Sequence, residues 1–267
     1  MPDTHIAKDF DRDLARLDEK ISRMGALAEE ELESSLRALR RRDPEMAEQA
    51  ILRDREIDRL EQEVEDGAVT IIALRQPMAN DLRMVIGILK ISSELERIGD
   101  LSKNISRRVI TLAENKPPKP LKKGLKRMGK QVIRQLRDVL DAYVARDAQK
   151  AREVWERDEE IDEAYNSIFR ELLTYMMEDP RTIGMCTHLL FGARNLERIG
   201  DHVTNIAENI HYMVTGERLD VARPKGDETS NILPQAAVSK KSAKTAGQGA
   251  SGEGEKSVKN GGEGQGA

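Results

Sequence analysis

Pairs of acidic residues four positions apart give this chain its clearest chemical signal, because carboxylates at that spacing share one face of a helix. Like charges there repel each other, so a cation is expected nearby. The chain has 48 acidic residues among 267, and single pairs at this spacing therefore arise often by chance. Four pairs stand out by their placement: Asp54 with Asp58, Glu96 with Asp100, Asp158 with Asp162, and Glu197 with Asp201.

These pairs belong to a sequence that occurs twice. The stretch Leu-Glu-Arg-Ile-Gly-Asp covers residues 95–100 and again 196–201. Arg-Met-Gly at 23–25 recurs at 127–129, an offset of 127 − 23 = 104, and the offset falls to 196 − 95 = 101 at the repeated hexapeptide. A nearly constant offset with one small deletion indicates a duplicated unit.

The acids of each repeat are predicted to lie level across two antiparallel helices. Positions 58 and 96 have their midpoint at 77, as do 54 and 100, and Pro77 suits a turn. In the second repeat, positions 162 with 197 and 158 with 201 share the midpoint 179.5, next to Pro180. Rotation by about 100° per residue also displaces both pairs of the first repeat to the same side of their apolar stripes. Each repeat should therefore gather four carboxylates.

Two kinds of cation could balance such a quartet. Arginine is one, and a bound metal ion is the other. A site made only of carboxylates suits hard cations such as Mg²⁺, Mn²⁺ or iron, and the symmetry of the acids favours metal. Asn104 and Asn205, one turn further along the same face, could add ligands or hydrogen bonds to them. The candidate arginines are Arg55, Arg97, Arg157 and Arg198.

Other notable residues have structural interpretations beside chemical ones. Gly99 and Gly200 lie between the acidic face and the apolar stripe, where a missing side chain would let either a neighbouring helix or a metal shell come close. His202 is interpreted as a partner of a nearby group rather than a ligand, since the first repeat has Leu101 at its position. Cys186, among apolar neighbours, is interpreted as a packing residue.

The elements that must position the acids are three helices in each repeat. Apolar residues recur at helical spacing, and Asp43 can cap a helix that has Pro44 in its first turn. The predicted helices cover residues 8–42, 44–75, 78–114, 121–146, 147–177 and 181–214. The fold class is all-α, a tandem repeat of two antiparallel three-helix bundles. The predicted domains are residues 1–115, residues 116–220 and a disordered polar C-terminal tail, 221–267.

Composition narrows the class of protein. The net charge is −4 with both signs interspersed, so no basic block for nucleic acid is present. A single cysteine fits a reducing compartment, and the sequence shows no signal peptide and no apolar run long enough to span a bilayer. A cytoplasmic protein is predicted, with membrane contact only through partners. No P-loop, dinucleotide loop or nucleophile elbow appears, which favours a protein without enzymatic turnover.

Two segments, "DLRMVIGILKISSELERIGDLSKNI" and "NLERIGDHVTNIAENIHYMVTGE", resemble the repeats of the PhoU family of phosphate-transport accessory proteins. The resemblance covers nearly all of residues 5–217. It implies two three-helix bundles, a homodimer, and negative regulation that links the ATPase subunit of a phosphate ABC transporter to a membrane sensor histidine kinase. It also implies multinuclear metal clusters on the paired acids. Those positions are Asp54, Asp58, Glu96 and Asp100 in one repeat, and Asp158, Asp162, Glu197 and Asp201 in the other.

One departure from that pattern concerns contacts with partners. The sequence Asp81-Leu82-Arg83 has no equivalent in the second repeat, so the two repeats are not expected to contact partners equally.

Three functions are compatible with these residues. The first is a metal-containing regulatory adaptor of phosphate homeostasis. The second is a metal-dependent hydrolase acting on phosphate esters, and the third is a plain helical scaffold whose acidic faces are only solvated. The lack of residues arranged for nucleophilic or acid–base work favours the adaptor.

Overall fold

A computed structural model of the chain describes residues 3–112 and 117–219. Within those ranges the only regular secondary structure is helical, as predicted, and no helix is long and apolar enough to cross a bilayer. The predicted tail, 221–267, lies outside the described residues. The helices are α1 (Asp3–Arg41), α2 (Pro44–Arg75), α3 (Asn80–Leu112), α4 (Lys119–Ala145), α5 (Ala148–Glu156), α6 (Glu159–Glu178) and α7 (Ile183–Thr215), with a 3-10 turn at Pro180–Thr182 before α7.

The same cap starts the second helix of both repeats. Asp43 and Asp147 have extended backbones, and each side chain accepts a hydrogen bond from the backbone N–H three residues on, at 3.0 and 2.9 Å. The residues before them, Arg42 and Arg146, turn the chain with φ of 59° and 52°. An aspartate in this position satisfies an N–H that has no partner inside the helix. The predicted cap at Asp43, with Pro44 in the first turn, is confirmed.

One predicted helix is wrong in its continuity. The sequence predicted a single helix over 147–177, but the chain breaks into α5 and α6 at Arg157 and Asp158. The backbone N–H groups of these two residues bond to carbonyls three residues back, at 3.2 and 3.4 Å, which tightens the turn. The buried amide of Gln135 in α4 donates to the Arg157 carbonyl at 2.9 Å, so the break leaves that oxygen satisfied.

The two bundles share one hydrophobic core. Helices α1, α2 and α3 form the first bundle, and α4, α7 and the α5–α6 pair form the second. Helix α3 packs along α7 and α1 packs along α4, so buried residues such as Leu95 and Leu196 belong to one continuous cluster. The architecture of two three-helix repeats is therefore confirmed.

The crossing of α1 and α4 is symmetric. A β-carbon added to Gly25 would lie 2.5 Å from Leu140 Cδ2, and one added to Gly129 would lie 2.7 Å from Leu36 Cδ1. The offset between repeats is the same for both residues of each contact, 129 − 25 = 104 and 140 − 36 = 104. The two repeats thus exchange equivalent contacts across an antiparallel crossing, with glycine allowing the close approach.

Candidate functional site: two acidic clusters

The first acidic cluster, comprising Asp54, Asp58, Glu96 and Asp100, lies where α2 and α3 face each other. Asp54 is buried with 3% of its surface exposed, whereas the other three are partly exposed. The predicted level pairing of Asp54 with Asp100 is observed, because one ammonium group, that of Lys103, hydrogen-bonds to both carboxylates. Glu96 and Asp100 also interact through their side chains, and burial with the Asp100 charge raises the pKa of Glu96 to about 7.

Lys103 is the cation of this cluster, and the sequence analysis missed it. Its Nζ lies 2.5 Å from Asp100 Oδ1 and also bonds to Asp54, and its side chain is only 16% exposed. Burial lowers the pKa of Lys103, but the hydrogen bonds to the two carboxylates raise it more, so the pKa stands above its ordinary value. Lys103 follows Asp100 by three positions, and residues three apart on a helix are neighbours. That spacing could have identified it.

The arginines that were candidates for this role lie at the margin or bind elsewhere. Arg97 is exposed and reaches only Glu96, at 3.7 Å. Arg157 pairs with Asp138 at 2.8 Å. The cation observed at the first acidic cluster is therefore a lysine, whereas the sequence had offered arginine as the alternative to metal.

A fifth carboxyl group reaches this cluster from α1. Glu31 is 1% exposed, and neither of its carboxylate oxygens has a hydrogen-bond partner among the described residues. Burial, together with the negative charge of Asp54, raises the pKa of Glu31 to about 9. Asp54 Oδ1 also has no hydrogen-bond partner among the described residues. Burial raises the pKa of Asp54, although the hydrogen bond and charge of Lys103 act to lower it. Glu31 is an acid between Ala28 and Leu32 in a buried stripe, a mismatch that could have revealed it.

The glycine of each repeated hexapeptide allows two helices to touch. A β-carbon on Gly99 would lie 3.0 Å from Ile57 Cδ1 and 3.2 Å from Asp54 Oδ1. A β-carbon on Gly200 would lie 2.8 Å from Ile161 Cδ1. At Gly200 the contact is one of close helix packing, and at Gly99 the Asp54 and Glu31 carboxyl groups lie beside the same position.

The second acidic cluster, comprising Asp158, Asp162, Glu197 and Asp201, lies between α7 and the α5–α6 pair. Three of these acids are buried, and Asp201 is partly exposed. Thr204 stands where the first repeat has Lys103, since 204 − 103 = 101. Its hydroxyl lies 2.9 Å from Asp158 Oδ1 and 3.0 Å from the Gly200 carbonyl oxygen. The guanidinium of Arg194 pairs with Glu197 at 3.0 Å and lies over the Tyr165 ring.

The position equivalent to Glu31 also differs between the repeats. It is Gln135, since 135 − 31 = 104. Both residues are buried on the helix that opens their bundle. The Gln135 amide donates a hydrogen bond to the Arg157 carbonyl, whereas Glu31 faces the first acidic cluster. The two clusters therefore have acids at equivalent positions, and they differ at two neighbouring positions, Glu31 against Gln135 and Lys103 against Thr204.

Other residues raised by the sequence have partners outside the clusters. His202 Nδ1 lies 2.6 Å from Glu94 of the first repeat, and Asn205 donates to the same carboxylate at 3.1 Å. Asn104 accepts a hydrogen bond from Arg107 at 3.0 Å. His202 thus has the partner that was predicted for it. Cys186 is buried in the core, and burial raises the pKa of its thiol, which suits packing.

The donor chemistry of both clusters suits a hard cation, because carboxylate oxygens dominate and several are buried. The unpaired Asp54 oxygen adds to the negative potential of the first cluster, whereas Glu31, with its pKa raised to about 9, is neutral near pH 7. Across residues 3–112 and 117–219, however, no three acidic, histidine or cysteine side chains meet at one point where an ion would be held. Side chains would have to turn before they could bind a metal ion there.

Comparison with known proteins gives one consistent match. The model of the PhoU domain matches residues 21–109 and again 125–210. A phosphate-specific transport system accessory protein PhoU homolog from Caulobacter vibrioides is 53% identical over 226 residues, covering 85% of this chain and 98% of the relative. The accessory protein PhoU of Escherichia coli (strain K12) is 38% identical over 229 residues, covering 86% of this chain and 94% of its own.

Solved structures agree. A crystal structure of PhoU from Pseudomonas aeruginosa has a TM-score of 0.76 and 38% identity, with 78% of this chain and 100% of that chain covered. The phosphate transport system regulatory protein PhoU from Streptococcus pneumoniae has a TM-score of 0.74 and 34% identity, with 79% and 100% covered. The likeness thus extends over the whole of both solved chains.

Proposed function

The chain belongs to the PhoU family, and on that premise we propose that it is an accessory protein of a phosphate-specific transport system that negatively regulates phosphate uptake and phosphate-starvation signalling. The observation that carries the proposal is the match to PhoU proteins over both repeats, with about half of the residues identical in the Caulobacter vibrioides relative. Those relatives are named as accessory proteins rather than enzymes, which favours regulation without turnover.

The adaptor acts by contact. It binds the ATPase subunit of the phosphate transporter and a membrane sensor histidine kinase, as a homodimer in the cytoplasm, so that starvation genes stay off when phosphate is plentiful. The absence of any membrane-spanning helix in the described part agrees with membrane contact through partners. The sequence Asp81-Leu82-Arg83 has no equivalent in the second repeat; Arg83 lies over Tyr212 of the same chain, while Asp81 and Leu82 are exposed and could contact a partner that only the first repeat binds.

Metal ions on the eight carboxylates of the two clusters form part of this proposal. Mg²⁺, Mn²⁺ or iron would be held by Asp54, Asp58, Glu96 and Asp100, and by Asp158, Asp162, Glu197 and Asp201. Support comes from the burial of four of these acids between facing helices and from their carboxylate oxygens, which are the ligands that hard cations prefer. A bound ion would join the helices of each hairpin and supply structural rather than catalytic chemistry.

The adaptor role is tested by affinity capture of the full chain from phosphate-replete cells, beside a variant ending at residue 219. Recovery of the transporter ATPase subunit and of a sensor kinase is the expected result, together with constitutive expression of starvation genes when the chain is deleted. Normal repression without the chain would overturn the proposal. Hydrolysis of a phosphate ester that Asp100→Ala and Asp201→Ala together abolish would favour the hydrolase instead.

Metal binding is tested by elemental analysis of protein purified without chelator. We expect bound metal that is lost when Asp100→Ala and Asp201→Ala are combined. A metal content that does not change in the double variant would remove the assignment to these residues. The oligomeric state is measured on the same samples by light scattering, where a homodimer is expected.

A further inference from the structure

We propose that the groove between α1 and α4 is a docking surface for an acidic amphipathic helix of a partner protein. This surface rests on the adaptor role proposed above, and it adds where a partner is held and by what chemistry. Three features of the groove support it: an apolar floor, a basic rim and a length that matches a helix.

The floor of the groove is apolar and draws on three helices. The groove has a volume of about 790 Å³, and its apolar lining includes Leu36 and Leu39 of α1, Leu125 and Ile133 of α4, and Leu189 of α7. Leu36, Leu39 and Ile133 are partly exposed, so a ligand that covered them would remove apolar surface from water. Grooves of this kind accept apolar side chains spaced three and four apart on a helix.

The rim of the groove is basic although the whole chain has a net charge of −4. Seven cationic and three acidic residues line it, which gives 7 − 3 = +4. The cations are Arg37, Arg40, Lys122, Lys126, Lys130, Arg134 and Arg137. Each of the three acids is already bonded to a cation, in the pairs Glu33–Arg137, Asp138–Arg157 and Asp141–Lys150. The acids of the groove therefore do not neutralise most of the rim.

Four of these cations form a row along α4. Lys122, Lys126, Lys130 and Arg134 are spaced four apart, so they share one face of the helix, where like charges repel. Across residues 3–112 and 117–219, none of the four forms an ion pair. Carboxylates placed along this row by a partner would relieve the repulsion, and complementary charges of this kind orient a partner and speed its binding.

The basic row is specific to one side of the α1–α4 crossing. The equivalent positions of the first repeat lie 104 residues earlier and carry no cation, being Asp18, Ser22, Ala26 and Glu30. Asp18 is bonded to Arg146 and to Tyr143 across the crossing. The duplication therefore produced two similar crossings of helices but only one basic groove, and each chain offers one such docking surface.

The dimensions of the groove favour a helix as its occupant. Its lining on α4 extends from Lys122 to Asp141, 19 positions or about 28 Å, which corresponds to about five helical turns. The basic row alone spans 12 positions, about 18 Å, and so suits a series of carboxylates rather than one phosphate ion. A flat bilayer surface does not reach a floor between two helices. Residues 220–267 have seven basic and six acidic residues, and are not the acidic segment required.

Photocrosslinking of the full chain in living cells identifies the occupant. The photoreactive residue p-benzoylphenylalanine replaces Ile133 on the floor, with Lys123, exposed on α4 but outside the groove, as the matched position. We expect position 133 to crosslink to a partner segment with apolar residues three and four apart and acids beside them. If the chain with the floor substitution does not fold, the same residue at the exposed Lys130 decides.

Binding of a defined probe tests the chemistry. The probe is a fluorescein-labelled helical peptide with leucines at i, i+3, i+4 and i+7 and glutamates on both sides, and a peptide of the same composition with scattered leucines is its control. Fluorescence anisotropy should show that Lys126→Glu with Lys130→Glu weakens binding of the probe about tenfold at low salt. Lys123→Glu with Arg127→Glu changes the net charge equally on exposed residues outside the groove and should have a much smaller effect.

The outcomes separate the docking surface from the adaptor role. Crosslinks from position 133 to lipid, to a second copy, to residues 220–267 or to nothing would overturn the docking surface. So would equal binding of the two peptides, or equal losses in the two double variants. If deleting the chain leaves starvation genes repressed, the adaptor role fails, while the expected crosslinks and peptide binding would still support the docking surface.

Discussion

The two acidic clusters contain equivalent acids and balance their charge differently. In the first, a lysine is inserted between two carboxylates and a buried glutamate lies beside them. In the second, a threonine hydroxyl and a glutamine amide occupy the corresponding positions and donate to a carboxylate and a carbonyl. The comparison shows that duplication retained the four acids of each repeat, while the neighbouring residues Glu31, Gln135, Lys103 and Thr204 diverged as two pairs.

The backbone follows the same division. Helix α2 runs unbroken past Asp54, whereas the equivalent helix breaks beside Asp158. The amide of Gln135 donates to the Arg157 carbonyl at that break, whereas the Glu31 oxygens have no hydrogen-bond partner among the described residues. Glutamine at this position accompanies a broken second helix in the second repeat, and glutamate accompanies the continuous helix α2 in the first. At this position the two repeats differ by one side-chain atom, a carboxylate oxygen in Glu31 and an amide nitrogen in Gln135.

The largest expected effect comes from removing the cation. Lys103→Met keeps much of the side-chain volume but leaves Asp54 buried without its ammonium, and breaking such a pair costs about 3 kcal/mol. Thr204→Val, the matched change, removes only a hydroxyl donor to Asp158 and should cost about 1 kcal/mol. Urea unfolding monitored by circular dichroism measures both. Equal losses would mean that the two clusters are balanced alike.

A second effect is expected where the helix breaks. Gln135→Glu places a carboxylate against the Arg157 carbonyl, which keeps only the Glu160 N–H at 3.3 Å as its donor, and the free energy of unfolding should fall by about 2 kcal/mol. Gln149→Glu, at an exposed position on α5, serves as the control for the added charge and should change stability little. The same urea titrations decide, and a Gln135→Glu protein as stable as wild type would show that the break needs no donor from α4.

Most of the fold was predictable from the sequence because periodicity, caps and turns are local. Asp43 indicated the start of a helix, and equal distances from the turns at Pro77 and Pro180 predicted that the acids lie level across each hairpin. The break at Arg157 was not predictable in this way. The carbonyl at the break accepts a hydrogen bond from Gln135, more than twenty positions away on another helix, and no local pattern records that contact.

The candidate site was predictable in its acids and not in its charge balance. Spacing and duplication identified the carboxylates, since both are properties of one helix at a time. Glu31 comes from a third helix, and its approach to Asp54 appears only when the bundle is assembled. The sequence places Lys103 three positions after Asp100, but the arginines adjacent to the acids were taken as the candidate cations instead. Residues next to an acid in sequence lie on other faces of the helix, whereas Lys103, three positions after Asp100, lies on the same face.

A third prediction sharpens the contrast between Glu31 and Gln135 through pH. Burial raises the pKa of Glu31 from 4.5 to about 9 in the fold. Between those values the folded chain holds a proton that the unfolded chain has lost, so this residue lowers stability as pH rises. The charged groups that face it are Asp54 and Asp58 on α2 and Asp100 and Lys103 on α3.

Glu31→Gln should therefore be more stable than wild type by about 1 to 2 kcal/mol near pH 8 and show almost no difference near pH 4.5. Urea unfolding at a series of pH values measures the gap, which should widen steadily from pH 5 to pH 9. Glu30→Gln, an exposed neighbour on the same helix, is the control and should show no such trend. A gap that is constant with pH would mean that Glu31 folds in its charged form.

The smallest effect distinguishes the glycines of the two hexapeptides. Alanine gains about 1 kcal/mol over glycine in a helix interior, and Gly192→Ala should show that gain because no atom lies within 4 Å of its added β-carbon. Gly200→Ala meets the flexible end of Ile161 and should be close to neutral. Gly99→Ala presses a methyl group against both Ile57 and an unpaired Asp54 oxygen, so it should be the least stable of the three. Melting temperatures rank them, and a Gly99→Ala protein as stable as Gly200→Ala would mean that the carboxylate beside Gly99 can move away as easily as the end of an isoleucine.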